Sequence, residues 1–213
     1  MRRFFSIVLL SMALLPLTGF ARTVADLFAT EPGNIFPLLT RTNRLDMVDY
    51  YHSGQVVDIP NNLAGESRLL ELDSAYLKVQ ASGSRVVEML MRQVGKDTVI
   101  TVIETVMTPV PDSRLTQWNV HWQRYISNKL FSMPSIDDFL VKKMSGELRA
   151  DLQNAMIFPL IQLTFKGGNH DIIEATHGLD RFLAPGEYKR FAEYFKPSLS
   201  YRFNGLKIKP VKK

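Results

Sequence analysis

The chain has 213 residues, of which 46% are hydrophobic and 22% charged, with a formal net charge of +5 and no cysteine. These proportions exclude a wholly disordered or collagen-like chain, and the length predicts one domain or two small ones. The absence of cysteine excludes disulfides, thiolate metal sites and a cysteine nucleophile.

The first 21 residues are typical of a secretory signal peptide. Arg2 and Arg3 precede an apolar run from Phe4 to Leu17, and small residues follow up to Ala21. The run is shorter than the ~20 residues that span a hydrocarbon core, and no cysteine follows it to carry a lipid. We therefore predict cleavage after Ala21 and a periplasmic location for residues 22–213, which would be neither a lipoprotein nor a membrane-spanning protein.

The predicted mature chain is only weakly basic. The leader holds two of the 26 basic residues and none of the 21 acidic ones, so the mature charge would be +3. Such a small charge over this length is weak evidence for an anionic partner. We expect no nucleic-acid partner.

Two helices are predicted at the start of the mature chain. Apolar residues recur at helical spacing over Thr23–Thr30, which predicts a short first helix. Asn34 can cap a second helix that runs to about His52, where Ser53 and Gly54 end it.

From Gln55 the apolar period changes to two, which predicts an antiparallel meander that continues to Gln123. The predicted strands are Val56–Ile59, Arg68–Leu72, Tyr76–Gln80, Arg85–Gln93, Thr98–Met107 and Leu115–Gln123. Arg85–Gln93 and Thr98–Met107 are apolar on both faces, so each face of the sheet must be covered. We expect the N-terminal helices on one of these faces.

The rest of the chain is predicted to alternate helices with hairpins. The predicted helices are 133–145, ended by Gly146, then 147–156, and one that begins at Pro185; the hairpins pair 159–165 with 171–176 and 200–203 with 206–208. We therefore predict that residues 22–213 form a single α+β domain. Its mainly antiparallel sheet of about seven to nine strands, a meander plus C-terminal hairpins, would pack against the N-terminal and central helices.

The most suggestive cluster of metal-binding residue types is His170, Glu174 and His177, which would share one face of a helix at the spacing of a zinc site. However, Gly167-Gly168 before it and Ile172-Ile173 within it favour a strand. On a strand the two histidines face opposite sides and lie roughly 23 Å apart at ~3.3 Å per residue. We therefore predict no metal site, and we expect no cofactor.

Trp118, His121 and Trp122 are the candidate ligand-binding residues, although two tryptophans on one strand face are also typical of a core. The chain has neither a Gly-x-Ser-x-Gly elbow nor a phosphate-binding loop. Triad members need not be adjacent in sequence, so a hydrolase that uses His121, His170 or His177 as base stays open. The sequence names no catalytic residue and does not decide whether the protein is an enzyme.

Several segments carry a resemblance to a known family. Ala25–Phe28, Ile35–Leu39, Asn43–Asp49, Leu63–Ser67 and Asp73–Leu77 resemble the exported Bacteroidales proteins catalogued as domain of unknown function 3256. The resemblance covers nearly all of the mature chain. It implies an exported α+β domain with no assigned activity, and it brings no catalytic residues with it.

We favour a non-catalytic periplasmic binding or assembly module, because an export signal and an intact core pattern occur without a convergent catalytic set. Its partner would be another envelope protein, a glycan or a lipid. An envelope-directed hydrolase and a carrier of hydrophobic ligands, with methionine- and tryptophan-bearing strands around a cavity, are the alternatives.

Overall fold

The computed structural model describes residues 22–127, 129–156, 158 and 160–211, so the predicted signal peptide, residues 1–21, lies outside the described residues. The described residues form a six-stranded and a four-stranded antiparallel sheet together with several helices. The predicted α+β fold class is confirmed.

The first sheet is a meander that follows two helices. The elements are α1 (Val24–Thr30), α2 (Arg41–His52), β1 (Ile59–Pro60), β2 (Glu66–Leu72), β3 (Tyr76–Ser82), β4 (Arg85–Val94), β5 (Asp97–Val106) and β6 (Asp112–Asn119). The strands lie side by side in chain order, β1 to β6, as a meander requires.

The second sheet is built from two hairpins, in the order β10-β9-β8-β7. Its part of the chain contains a 3₁₀ turn (Ile136–Phe139), α3 (Gly146–Ala155), β7 (Ile161–Lys166), β8 (Ile172–His177), α4 (Leu179–Phe182), α5 (Pro185–Phe191), a 3₁₀ turn (Ala192–Tyr194), β9 (Ser198–Asn204) and β10 (Lys207–Pro210).

Both faces of β4 and β5 are covered, as their two-sided apolar pattern predicts. On one face Val87 and Met89 join the side chains of α1 and α2 in a buried cluster. On the other face Leu90 and Ile103 pack into a second cluster with the second sheet, including Leu163. The first sheet is therefore the middle layer of the molecule.

The two sheets meet along the outer edge of β7, which the sequence does not anticipate. Three backbone N–H groups of this edge donate to side chains of the first sheet: Ile161 to Asp112 (3.2 Å), Leu163 to Ser113 (2.9 Å) and Phe165 to Glu88 (3.2 Å). The prediction of one continuous sheet is therefore wrong, because β7 is met by side chains and not by the backbone of another strand.

The second helix begins at Arg41, with Thr40 as its cap, and not at Asn34 as predicted. The buried carboxylate of Glu31 explains the difference, because it accepts four consecutive backbone N–H groups, those of Gly33, Asn34, Ile35 and Phe36. These four N–H groups therefore have a hydrogen-bond acceptor without a helix forming at this point. Arg44 lies 3.6 Å from the same carboxylate and is also buried.

The predicted helix over 133–145 is reduced to the 3₁₀ turn Ile136–Phe139. Ser135 and Asp138 cap this turn reciprocally, as the sequence indicates, but Leu140 then pairs with Phe195 in an isolated β-bridge. Gly146 starts α3 and does not end a helix. None of the helices in the described residues is long and apolar enough to cross a membrane.

The C-terminal hairpin turns at Gly205 and Leu206, one residue later than predicted. Asn204 pairs with Lys207 and belongs to β9, and Gly205 has a φ of +60°. Only the first central residue of this turn therefore has positive φ, as in a II′ turn, which requires glycine there.

Candidate functional site

The predicted strand over Leu115–Gln123 ends at Asn119, so Trp122 lies in a turn with a φ of +59°. The Asn119 side chain closes this turn by accepting the N–H groups of His121 and Gln123, at 2.9 and 3.0 Å. The prediction that Trp118 and Trp122 share a strand face is therefore wrong, because Trp122 lies outside the strand.

The structure nevertheless brings the two tryptophans together. Their ring centroids lie 6.2 Å apart in an edge-to-face arrangement, and both rings are half-buried against the first core cluster. The indole N–H of Trp118 donates to the Thr116 hydroxyl at 2.9 Å. His121 is exposed, and a ligand-binding role for these three residues stays a prediction.

The outer edge of β6, the last strand of the first sheet, lies beside a cavity. The chain folds back along this edge, since Asn119 N–H donates to the Gln123 carbonyl (3.0 Å) and Tyr125 N–H donates to the Gln117 carbonyl (2.9 Å). Residues two apart on a strand direct their backbone groups to the same side. The N–H and C=O of Leu115 therefore also point outward, and the described residues give them no hydrogen bond there.

A cavity of about 240 Å³ lies between this edge and the returning segment. Residues 115–117 of β6 line one side, and residues 124–127 with Leu130 and Phe131 line the other. We call this cavity the β6 edge pocket. It is smaller than the ~300–1,000 Å³ of sites that enclose a whole drug-sized ligand.

Gln117 is the unusual residue of the β6 edge pocket. It is only 3% exposed, yet neither its Oε1 nor its Nε2 has a hydrogen-bond partner among the protein groups described. Thr101, its cross-strand neighbour on β5, is fully buried and its hydroxyl likewise has no partner. Most buried polar side chains are hydrogen-bonded, and leaving one unpaired costs about 1–3 kcal/mol. Gln117, a lining residue of the pocket, therefore carries an amide that the described protein groups leave unpaired.

The charge at the pocket comes from Arg124, which is exposed and makes no ion pair with any described residue. The rest of the lining is neutral, with Tyr125, Ile126 and Phe131 as apolar walls. Arg124 is therefore the charged residue among the described residues of the lining, and Thr116, Gln117, Tyr125 and Ser127 supply its uncharged polar groups.

The three histidines considered as bases lie in different environments. His170 Nε2 lies 3.5 Å from Asp73 Oδ2, and its ring stacks on Tyr76 with centroids 3.7 Å apart. His177 is buried between Phe139 and Phe195, and burial lowers its pKa. In the described part of the chain no serine completes a nucleophile–base pair with any of them.

The strand predicted over the stretch that holds His170 and His177 is confirmed for β8, Ile172–His177, but His170 lies before it in the turn, with a φ of +53°. No group of three or more His, Asp and Glu residues in the described ranges could hold a metal ion. The polar cluster that includes Tyr76, on which His170 stacks, has a structural role. Glu88 accepts the hydroxyls of Tyr76 (2.9 Å) and Thr164 (3.0 Å), and burial together with Glu88 raises the pKa of Tyr76.

A second cavity, of about 450 Å³, lies beside Arg85, Glu104 and Arg114. Arg114 donates two hydrogen bonds to the buried Glu104 carboxylate, at 2.6 and 3.0 Å, and Arg85 donates a third. Unlike the β6 edge pocket, this cavity has no buried polar side chain without a partner among its described lining residues.

Sequence reasoning missed Gln117, because a single glutamine in a strand matches no motif. The available signal was that Gln117 lies two residues from Leu115 and so on the same face of the strand. Leu115 is apolar and packs against the second core cluster. A glutamine in the position of a core residue needs a partner.

Comparison with known proteins gives a family and a fold. A family model described as "Protein of unknown function (DUF3256)" matches residues 17–208. The structure is similar to a domain of an uncharacterized protein from Porphyromonas gingivalis W83, with 19% identity and a TM-score of 0.77. The match covers 89% of this chain and 98% of that one. No curated protein matches the sequence.

Proposed function

Because the chain belongs to the DUF3256 family of proteins of unknown function, we propose its role from its own geometry: an exported, non-catalytic binding module that holds its ligand in the β6 edge pocket. The main support for this proposal is that the amide of Gln117, a lining residue, is buried without a hydrogen-bond partner among the described protein groups. An amide kept unpaired lowers stability, which natural proteins tolerate chiefly at functional sites.

A binding role fits the pocket better than catalysis does. Its described lining holds an arginine, a glutamine, a serine, a threonine, a tyrosine and apolar side chains, and among these described residues there is no carboxylate or histidine that could transfer a proton. Its ligand comes from the envelope and is a protein, a glycan or a lipid.

Export is the part of the proposal that rests on residues 1–21. Cell fractionation should recover the protein with the periplasm, and Edman sequencing of that protein should start at Arg22. Recovery in the cytosol with an intact N-terminus would contradict the proposed location.

Site-specific photo-crosslinking tests the binding role. Ile126 lines the pocket and is 90% exposed, so a benzophenone side chain at this position reaches a bound ligand. Leu63, which is 74% exposed between β1 and β2, is the matched control position. We expect envelope material to be captured from position 126 and not from position 63.

The same experiment contains its own specificity control. Adding Gln117→Leu should remove the adduct at position 126, because the amide that pairs with the ligand is lost. Equal capture at both positions, or capture that survives Gln117→Leu, would refute a ligand in the β6 edge pocket.

A further inference from the structure

We infer that the ligand of the β6 edge pocket is a segment of extended peptide that carries a carboxylate and adds to β6 as a strand. This inference rests on the proposed function, since it names the ligand of the same pocket. It follows from three independent features: the strand edge, the Gln117 amide and Arg124.

The outer edge of β6 already accepts an extended segment. Residues Gln123 and Tyr125 of the same chain pair with Asn119 and Gln117 in the manner of a further strand, through two backbone hydrogen bonds. The pairing then stops, and the outward N–H and C=O of Leu115 follow along the same edge. An added peptide strand supplies donors and acceptors at the spacing that this edge presents.

The Gln117 side chain matches a peptide group better than other ligands. It offers one acceptor oxygen and two N–H donors on one plane, which together fit the C=O and N–H of a backbone amide. A lipid chain would leave the Gln117 amide unpaired. A glycan could satisfy Gln117, but it lacks the regular spacing that the β6 backbone requires.

The size of the pocket also favours a segment of a longer chain. A cavity of about 240 Å³ is too small for a complete large ligand, and it lies beside a strand edge that continues past it. A short stretch of the peptide would occupy the pocket, and the rest would leave it past Ile126.

Arg124 sets the charge of the ligand. It stands exposed at the pocket and makes no ion pair with the described residues, so a carboxylate on the peptide is its natural partner. Because Arg124 is exposed, we expect its contribution to be small, about threefold in affinity at moderate salt.

Panning of a biotinylated random hexapeptide library against the full processed protein tests this inference. We expect enrichment of peptides with β-branched residues and at least one Asp or Glu. The Gln117→Leu protein should not enrich them, whereas Gln80→Leu, which changes a half-buried glutamine on β3, should.

An enriched peptide then permits measurement by fluorescence anisotropy. Gln117→Leu should weaken its binding about tenfold or more, since a pairing with a buried polar group is lost. N-methylation of the one backbone nitrogen that faces β6, found by methylating each position in turn, should have a similar effect. Arg124→Gln should reduce affinity about threefold and flatten the salt dependence, and Lys96→Gln should do neither.

The outcomes separate the ligand class from the binding role. Crosslinking at position 126 without any peptide enrichment, or capture of a glycan or lipid there, would overturn the peptide inference and leave the proposed function standing. Binding that is insensitive to N-methylation at every position would also overturn strand addition. Absence of any pocket-specific adduct would remove the proposed function itself.

Discussion

Gln117 provides a test of function through stability. Replacing it by leucine removes a buried amide that has no partner and leaves a side chain of similar size. We expect Gln117→Leu to raise the free energy of unfolding by about 1–3 kcal/mol, the cost of an unsatisfied buried group. Urea unfolding followed by circular dichroism measures this change.

Gln80→Leu is the matched control, because this glutamine is half-buried on β3 and lies outside the β6 edge pocket. We expect its effect to stay within about 0.5 kcal/mol. A Gln117→Leu protein less stable than wild type would show that the amide has a structural role, and a gain in stability together with lost binding would show a functional one.

His177 makes the stability of the fold depend on pH. Burial lowers its pKa, the nearby Asp180 acts to raise it and Arg181 to lower it, so the net pKa lies below the ordinary value. In the unfolded chain the imidazole titrates near ~6.5. The unfolded state therefore binds the proton first, and stability is complete above about pH 6.5 and falls as the pH drops below it.

Urea unfolding at several pH values between 5 and 8 should show this loss, and His177→Phe should reduce it. His52→Phe, which changes an exposed histidine at the end of α2, is the control and should leave the pH dependence unchanged. An unaltered pH profile in His177→Phe would show that another group causes the loss.

The contact between β7 and the first sheet depends on Glu88. Its carboxylate accepts the Tyr76 hydroxyl, the Thr164 hydroxyl and the Phe165 N–H at the buried boundary of the two sheets. Glu88→Leu leaves these three donors unpaired, so we expect a loss of at least about 3 kcal/mol. Glu88→Gln, which keeps one acceptor oxygen, should lose less.

Hydrogen exchange locates this effect, because the amide of Phe165 should lose protection before those in the middle of β5. The control is Glu71→Gln, at an exposed glutamate on β2 that lies 3.7 Å from Lys78. Equal losses of stability from the two glutamine variants would contradict the role given to Glu88.

The elements that sequence predicts well are those whose pattern is set locally. The β4 and β5 strands are ten residues each and carry apolar residues on both faces. Helix α1 has its apolar stripe within seven residues and its cap at the residue before them. Such elements differ from their predicted bounds by a residue or two. The predicted class α+β follows from them.

What the sequence misses depends on individual contacts, near or distant in the chain, and not on a repeating pattern. The start of α2 is set by Glu31, and the break after Phe139 by the bridge between Leu140 and Phe195. The β6 edge pocket depends likewise on the return of Gln123–Tyr125 along β6. No repeating pattern encodes these contacts, so the hairpins are predicted but the separation of the two sheets and the β6 edge pocket are not.

At the scale of the whole molecule, the first sheet belongs to both cores. One face of β4 and β5 packs on the N-terminal helices and the other on the second sheet. Loss of either cover exposes a face of the same two strands, and Glu88 ties β4 directly to β7. We therefore expect residues 22–213 to unfold as one cooperative unit, as a single domain does.

Paired core substitutions test this cooperativity. Met89→Ala empties the cluster beside the helices and Leu163→Ala the cluster beside the second sheet, and each residue is fully buried. We expect each to cost about 2–5 kcal/mol and to lower the midpoint of the same single transition in differential scanning calorimetry. If Met89→Ala instead splits the transition, so that one part keeps the wild-type midpoint, the two halves fold as separate domains.

Whether the protein unfolds as one unit also matters for ligand binding, because the β6 edge pocket is lined by Leu115, which packs against the second core cluster. In one cooperative unit, a ligand at the pocket should therefore raise the midpoint of the entire transition.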